Sequence, residues 1–243
     1  MSQKIHIGTS GWYYKHWDDV FYPKEVKSTD RLHFYAAQFC TVEVNTTFYH
    51  LPSLETVKNW NDLVPKNFIF SIKASRYITH IKRLVDYEKS LPKFFESLKS
   101  IQSKLGPILF QLPPSFEKNA ERLEAFLKHL KKDHNYTFEF RHPSWFDDEI
   151  YSLLKHYQAA LCITDLGGSL SPEEITAKFI YIRLHGPKSA YQGYYGTKKL
   201  TIWKDKLLKW AHEGLSIYCY FDNDEKGYAI QDASELKKMI ENE

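Results

Sequence analysis

Four short stretches of this chain place acidic, basic and amide side chains on one face of a strand-like run. They are VEVNTTFYHLP (42–52), LFQLPPSF (109–116), FEFRHPSWF (138–146) and IRLHGP (182–187). In each, apolar residues alternate with polar ones and the run stops at proline or glycine. Alternation with a period of two makes one face apolar and gives the other to Glu43 and Asn45, to Gln111, to Glu139 and Arg141, or to Arg183 and His185. Lys73 closes a fifth run, Asp165 a sixth, and Asp222, Asn223 and Asp224 an eighth. Polar groups delivered to the carboxyl ends of several strands mark a site at the mouth of a barrel.

The residue types suggest acid–base work on an anion. Lys73, Arg141 and Arg183 are the candidates for holding negative charge, and Glu139, His185 and Glu43 for moving protons. Arg76, Gln111, His142, Trp145, Asp165, Tyr194 and Asn223 are the further substrate-binding candidates, Trp145 and Tyr194 as flat surfaces for a ring. The competing expectation is a neutral, buried ion network that fixes strand register, since a buried charge must be paired in either case. For Trp145 it is a packing role beneath the loop. The segment 187–200, with Gly193, Gly196, three tyrosines and three lysines, suits a lid. The segment 73–83, with Lys73, Arg76, His80, Lys82 and Arg83 around Tyr77, suits a phosphate backbone or a solvated loop.

Other chemistries find less support. No HExxH, paired CxxC or EF-hand loop occurs, and GTSGW (8–12) is neither a phosphate loop nor a G-x-S-x-G elbow. No organic cofactor is expected. A divalent metal is left open by Glu43, Glu139, Asp165, His185 and Asp222, which the cations Lys73, Arg141 and Arg183 would oppose.

The 33 basic and 30 acidic residues nearly cancel, so bulk charge does not demand a nucleic-acid partner, and only a local basic patch leaves one open. Three widely spaced cysteines, Cys40, Cys162 and Cys219, fit neither a disulfide framework nor a zinc site. With no apolar leader after MSQK and no membrane-spanning stretch, a soluble cytoplasmic protein with no membrane partner is expected.

Eight strand signals position these groups: 5–8, 41–45, 68–73, 108–112, 136–140, 160–164, 179–185 and 216–221. Helical patterns separate them, at 30–40, 53–63, 87–105 (the longest), 120–132, 147–157, from SPEE (171–174), at about 200–213, and from Ala233 onward. Eight strand–helix repeats of about thirty residues predict a (β/α)8 TIM barrel. No linker or change of composition divides the 243 residues, so a single domain over 1–243 is expected.

Several motifs run in order along the chain. They are GTSGWYYKHW with FYP, EVNTTFYHLPSLET, IKASRYITH, LGPILFQLPPSF, FEFRHPSW, IRLHGP and YFDND with a downstream GYA. Together they resemble the DUF72, or YecE-like, family. The resemblance implies a TIM barrel and no settled activity. Likeness of such barrels to endonuclease IV-type and sugar-isomerase-type barrels is an analogy of fold. This chain departs from the family pattern at Asp19, where glycine is usual, at Asp222 and Asp232, where asparagine is usual, and at Tyr195.

The leading expectation is an enzyme acting on a small phosphorylated or carboxylated substrate by acid–base chemistry. The rivals are a metal-dependent phosphodiesterase or nuclease and a non-enzymatic nucleic-acid or metabolite binder.

Overall fold

A computed structural model describes residues 4–243. The reading of the first residues, MSQ, lies outside the described ones. The strands are β1 (Ile5–Thr9), β2 (Thr41–Val44), β3 (Ile69–Lys73), β4 (Leu105–Gln111), β5 (Tyr136–Glu139), β6 (Ala160–Leu166), β7 (Ser169–Leu170), β8 (Phe179–Leu184) and β9 (Ser216–Phe221). The helices are α1 (Arg31–Gln38), α2 (Thr46–Tyr49), α3 (Leu54–Leu63), α4 (Tyr87–Ser97), α5 (Ala120–His129), α6 (Asp148–Tyr157), α7 (Gly196–His212) and α8 (Tyr228–Glu241).

The chain divides into two compact units. The first holds the chain up to Glu43, Ile163–Glu173 and Phe179–Glu243; the second holds Val44–Cys162 and Glu174–Lys178. In the first, β1 pairs in parallel with β9, and β9 with β8. In the second, β3, β4, β5 and the start of β6 pair in parallel, each with the next. Parallel pairing of successive strands, and of the first with the last, is the (β/α)8 TIM-barrel class. Both faces of such strands are covered, so they read as nearly continuous apolar runs. Every residue of β8 is buried accordingly.

In the first unit, Gly8 is required where β1 passes Thr41, because a Cβ there would lie 2.4 Å from the Thr41 carbonyl oxygen. In the second, Phe110, Phe126 and Phe138 stack β4, α5 and β5 into an aromatic core.

Helix starts follow capping chemistry. The side chains of Ser53, Asn119 and Asp147 accept the backbone N–H of Thr56, Arg122 and Glu149. Asp30 precedes α1 without a capping bond.

Four helix expectations need correction. The stretch 87–105 is α4 up to Ser97, with Pro92 inside it, and then a 3-10 turn at Lys99–Lys104; α7 is the longest helix. α5 ends at His129, and α8 begins at Tyr228. The largest error is SPEE, which starts no helix. The Ser171 hydroxyl accepts the Thr164 N–H at 2.8 Å, and the Thr176 hydroxyl accepts that of Leu161 at 2.8 Å. Both hydroxyls satisfy the backbone of β6, so neither is available to cap a helix, and the sixth crossover has none.

The glycine expected at position 19 has a physical basis. Asp19 has φ +64 in the turn where its N–H donates to Tyr22 O at 3.0 Å. Aspartate tolerates this left-handed region better than most residues but not for free. Asp19→Gly is expected to stabilise the protein by about 0.5 kcal/mol and Asp19→Ala to destabilise it by about 1 kcal/mol, read by urea denaturation. Equal effects from the two substitutions would show that the turn is unstrained.

Candidate functional site

In the first unit, parity along β8 puts Tyr181, Arg183 and, just beyond it, His185 on one face. Tyr181 and Arg183 share a partner in Glu43, the third residue of β2, which is 0% exposed. The Glu43 carboxylate accepts the Ser10 hydroxyl at 2.6 Å and the Tyr181 hydroxyl at 2.7 Å. It also accepts Arg183 Nε at 2.9 Å and Nη2 at 2.8 Å, a two-pronged ion pair. Arg183 Nη2 reaches Asp222 Oδ2 at 3.0 Å, and Nη1 faces His185 Nε2 at 3.2 Å. His185 Nδ1 lies 2.9 Å from the same Asp222 oxygen. One guanidinium thus serves two carboxylates and a histidine. Because the guanidinium is always a donor, His185 Nε2 must accept, which leaves the proton of the neutral ring on Nδ1, facing Asp222. Burial holds the Tyr181 phenol well above its usual range, so it stays a donor to Glu43. Tyr14, whose hydroxyl donates to Ser10 O at 2.7 Å, is also raised, by burial first and then by Asp222, Asp224 and Glu43.

A second carboxylate cluster in this unit ties the 187–196 segment to α8. Asp232, 0% exposed, accepts Asn223 Nδ2 at 2.7 Å and the Tyr195 N–H at 3.1 Å. Burial raises its carboxyl to about 6. Asn223 also donates to Gly193 O at 2.8 Å, and the Tyr194 hydroxyl donates to Glu235. Gly186 cannot be replaced within this loop, since it has φ +127 and a Cβ there would meet Gln192 O at 2.4 Å.

In the second unit, the ends of β3, β4 and β5 carry Lys73, Gln111 and Glu139. Gln111 is in register with Glu139, and Lys73 with Leu109 one strand over. Glu139, 0% exposed, is ion-paired with Arg141. The Lys73 ammonium lies 4.5 Å from the centre of the Phe48 ring, against which His80 packs edge-on at 4.9 Å. Burial, then Lys73, Arg76 and Arg83 in that order, push His80 down to about 4, while Glu139 acts the other way. His80 is therefore a neutral imidazole in a cationic field. The segment that supplies it is a π-helix, Tyr77–Ile81, followed by the left-handed residues Arg83, Leu84 and Asp86. Such rare backbone is costly and clusters at functional positions.

Residues 6–243 match the family described as "Protein of unknown function DUF72". The chain belongs to the DUF72 family. It is 25% identical over 98% of its length to the UPF0759 protein YunF of Bacillus subtilis (strain 168), of which 95% is covered. It is 30% identical to the UPF0759 protein YecE of Escherichia coli (strain K12) over 58% of this chain and 50% of that one. Among solved structures, a DUF72 family protein from Thermotoga maritima superposes with a TM-score of 0.88 at 27% identity, covering 98% of this chain and 99% of that one. One from Enterococcus faecalis V583 gives 0.83 at 24%, covering 98% and 95%.

In this DUF72 chain, then, Glu43, Arg183 and His185 come together in the first unit, joined by Asp222. Asp165 sits beside them through its carbonyl, which accepts the His185 N–H at 2.8 Å. Tyr194 and Asn223 belong to the α8 cluster instead. In the second unit Lys73, Gln111, Glu139 and Arg141 lie at or just past the strand ends, and Arg76 caps the π-helix beyond β3, while His142 turns aside to Ser144 Oγ at 2.8 Å.

Two expected roles require correction. Trp145 is 0% exposed, with its indole N–H donating to Phe116 O and its ring stacked on Phe140 at 4.7 Å, so it is core and offers no open face. Arg183 directs its donors to Glu43, Asp222 and His185, which opposes its use as a clamp for an incoming anion. Among the described residues, no three His, Cys, Asp or Glu side chains form a set that could hold a metal ion, and no helix is long and apolar enough to cross a membrane.

The residues that sequence reasoning missed are Ser10, Tyr14, Tyr181 and Phe48. Tyr181 shares parity with Arg183 and was within reach of the alternation argument. The others come from loops and a short helix whose direction no periodicity encodes.

Proposed function

We propose that this chain is an enzyme acting on a small anionic substrate, phosphorylated or carboxylated, by acid–base chemistry at the strand ends of its second unit. Lys73, Arg76 and Arg141 bind the anion. Glu139 is the proton-transfer group, and Gln111 orients the substrate from the neighbouring strand. The observation that carries this reading is the gathering of Lys73, Gln111 and buried Glu139, ion-paired with Arg141, at the ends of the neighbouring strands β3, β4 and β5. Exposed Arg76 extends the positive charge outward beyond the end of β3. Glu43 and His185 of the first unit belong to the buried network around Arg183 and take no part in this chemistry.

The test begins with a panel of phosphorylated and carboxylated compounds screened for turnover, with inorganic phosphate as competitor. On whichever substrate turns over, Glu139→Gln is expected to lower kcat by roughly 10²- to 10⁴-fold. Lys73→Met is expected to raise KM. Melting curves accompany both variants. Loss of folding in Glu139→Gln, in place of loss of turnover, would make the Glu139–Arg141 pair structural and end this reading.

A further inference from the structure

The same strand-end cluster is bordered by aromatic surface that the fold does not use. Tyr49 is 62% exposed and Tyr77 is 46% exposed. Tyr49 stands at 90° to Phe48 with ring centres 5.1 Å apart, and Phe48 is the ring that also meets Lys73 and His80. Tyr77 opens the π-helix that also supplies His80, and its N–H donates to Ser75 Oγ at 3.3 Å. Arg76 precedes it, and the Lys82 ammonium lies 5.7 Å from its ring centre. Two solvent-facing rings therefore border the cluster: Tyr49 packs on the Phe48 ring that also meets Lys73 and His80, and Tyr77 directly follows Arg76 on the segment that supplies His80.

Exposed aromatic rings beside cations make a stacking platform next to a phosphate site. A carboxylate or a bare phosphate would use the cations and leave the rings idle. A ligand with a phosphate and a flat heterocycle would use both. Resting on the anion-site reading above, we propose that the ligand of this site belongs to the nucleotide class, its phosphate held by Lys73 and Arg76 and its base stacked on Tyr77 or Tyr49. The base comes either from a free mononucleotide or from an unpaired nucleotide in a single strand, and the chemistry of recognition is the same.

The experiment is a calorimetric titration of the full chain with AMP, ribose 5-phosphate, inorganic phosphate and a short oligo-dT at one fixed salt concentration. AMP is expected to bind about tenfold or more tightly than ribose 5-phosphate, the worth of one stacked base. Tyr49→Ala with Tyr77→Ala should remove that advantage and leave ribose 5-phosphate binding unchanged. Arg76→Ala should weaken all phosphorylated ligands together. Oligo-dT binding well above AMP would identify a strand as the source, and parity with AMP a free nucleotide. Equal affinity for AMP and ribose 5-phosphate overturns the nucleotide assignment while leaving the anion site standing. Failure of all four compounds to bind overturns both.

Discussion

Replacing Arg183 by methionine is expected to destabilise the protein by about 3–5 kcal/mol, the cost of removing one partner from a buried ion pair. The side chain is 1% exposed and Glu43 0% exposed, so water cannot take over the lost contacts. Methionine has a similar length but no donor. Glu43 would keep the Ser10 and Tyr181 hydroxyls at 2.6 and 2.7 Å, which satisfy lone pairs without neutralising charge. Asp222 would keep His185 at 2.9 Å and lose its guanidinium. Two carboxylates would thus be left with hydroxyls and an imidazole in place of a cation. The discriminating measurement is a double-mutant cycle by urea denaturation. Arg183→Met with Glu43→Gln should be less damaging than the sum of the single changes by at least about 1 kcal/mol, because the second substitution removes the charge that the first one strands. Strict additivity would mean that the pair contributes nothing to stability, despite its burial.

The strands were legible because burial on both faces and a period of two leave a strong pattern. Arg183 and His185 fell on one face by parity alone, and parity also put Glu139 and Arg141 together. Partner choice was not legible. Nothing in IRLHGP says that Arg183 turns to Glu43 some 140 positions away. Local signals also misled where two local motifs competed. Ser171 and Pro172 satisfy every rule for a helix start, yet the Ser171 hydroxyl bonds β6. A capping motif describes what a hydroxyl can accept, and tertiary structure decides which N–H arrives. Trp145 failed for a related reason, since an aromatic after a strand reads alike whether it faces a ligand or, as here, stacks on Phe140.

Between about pH 4 and 6.5 two groups should give opposing slopes of stability, so that the wild-type curve shows only their difference. Asp232 is raised from 3.8 to about 6, mainly by burial. In that window the folded chain keeps a proton that the unfolded chain has lost, so stability falls as pH rises and levels off above about 6. The gap corresponds to about 3 kcal/mol. His80 is lowered from 6.5 to about 4. There the unfolded chain binds the proton first, so stability is complete above about 6.5 and is lost as pH falls toward 4. His80 is only partly buried, and solvent screening reduces its share to about 1–2 kcal/mol. Asp232→Asn should therefore unmask a curve that rises with pH across this window, and His80→Gln one that falls more steeply than wild type. The asparagine amide at 232 would also face the Tyr195 and Gly196 N–H groups that now donate to the carboxylate at 3.1 and 3.4 Å. That mismatch adds an offset independent of pH, which is why the slope and not the absolute stability carries the test. Groups common to all variants cancel in the difference. An Asp232→Asn curve parallel to wild type would mean that the Asp232 carboxylate is stabilised by its three donors as fully as by water, and that burial leaves it unperturbed.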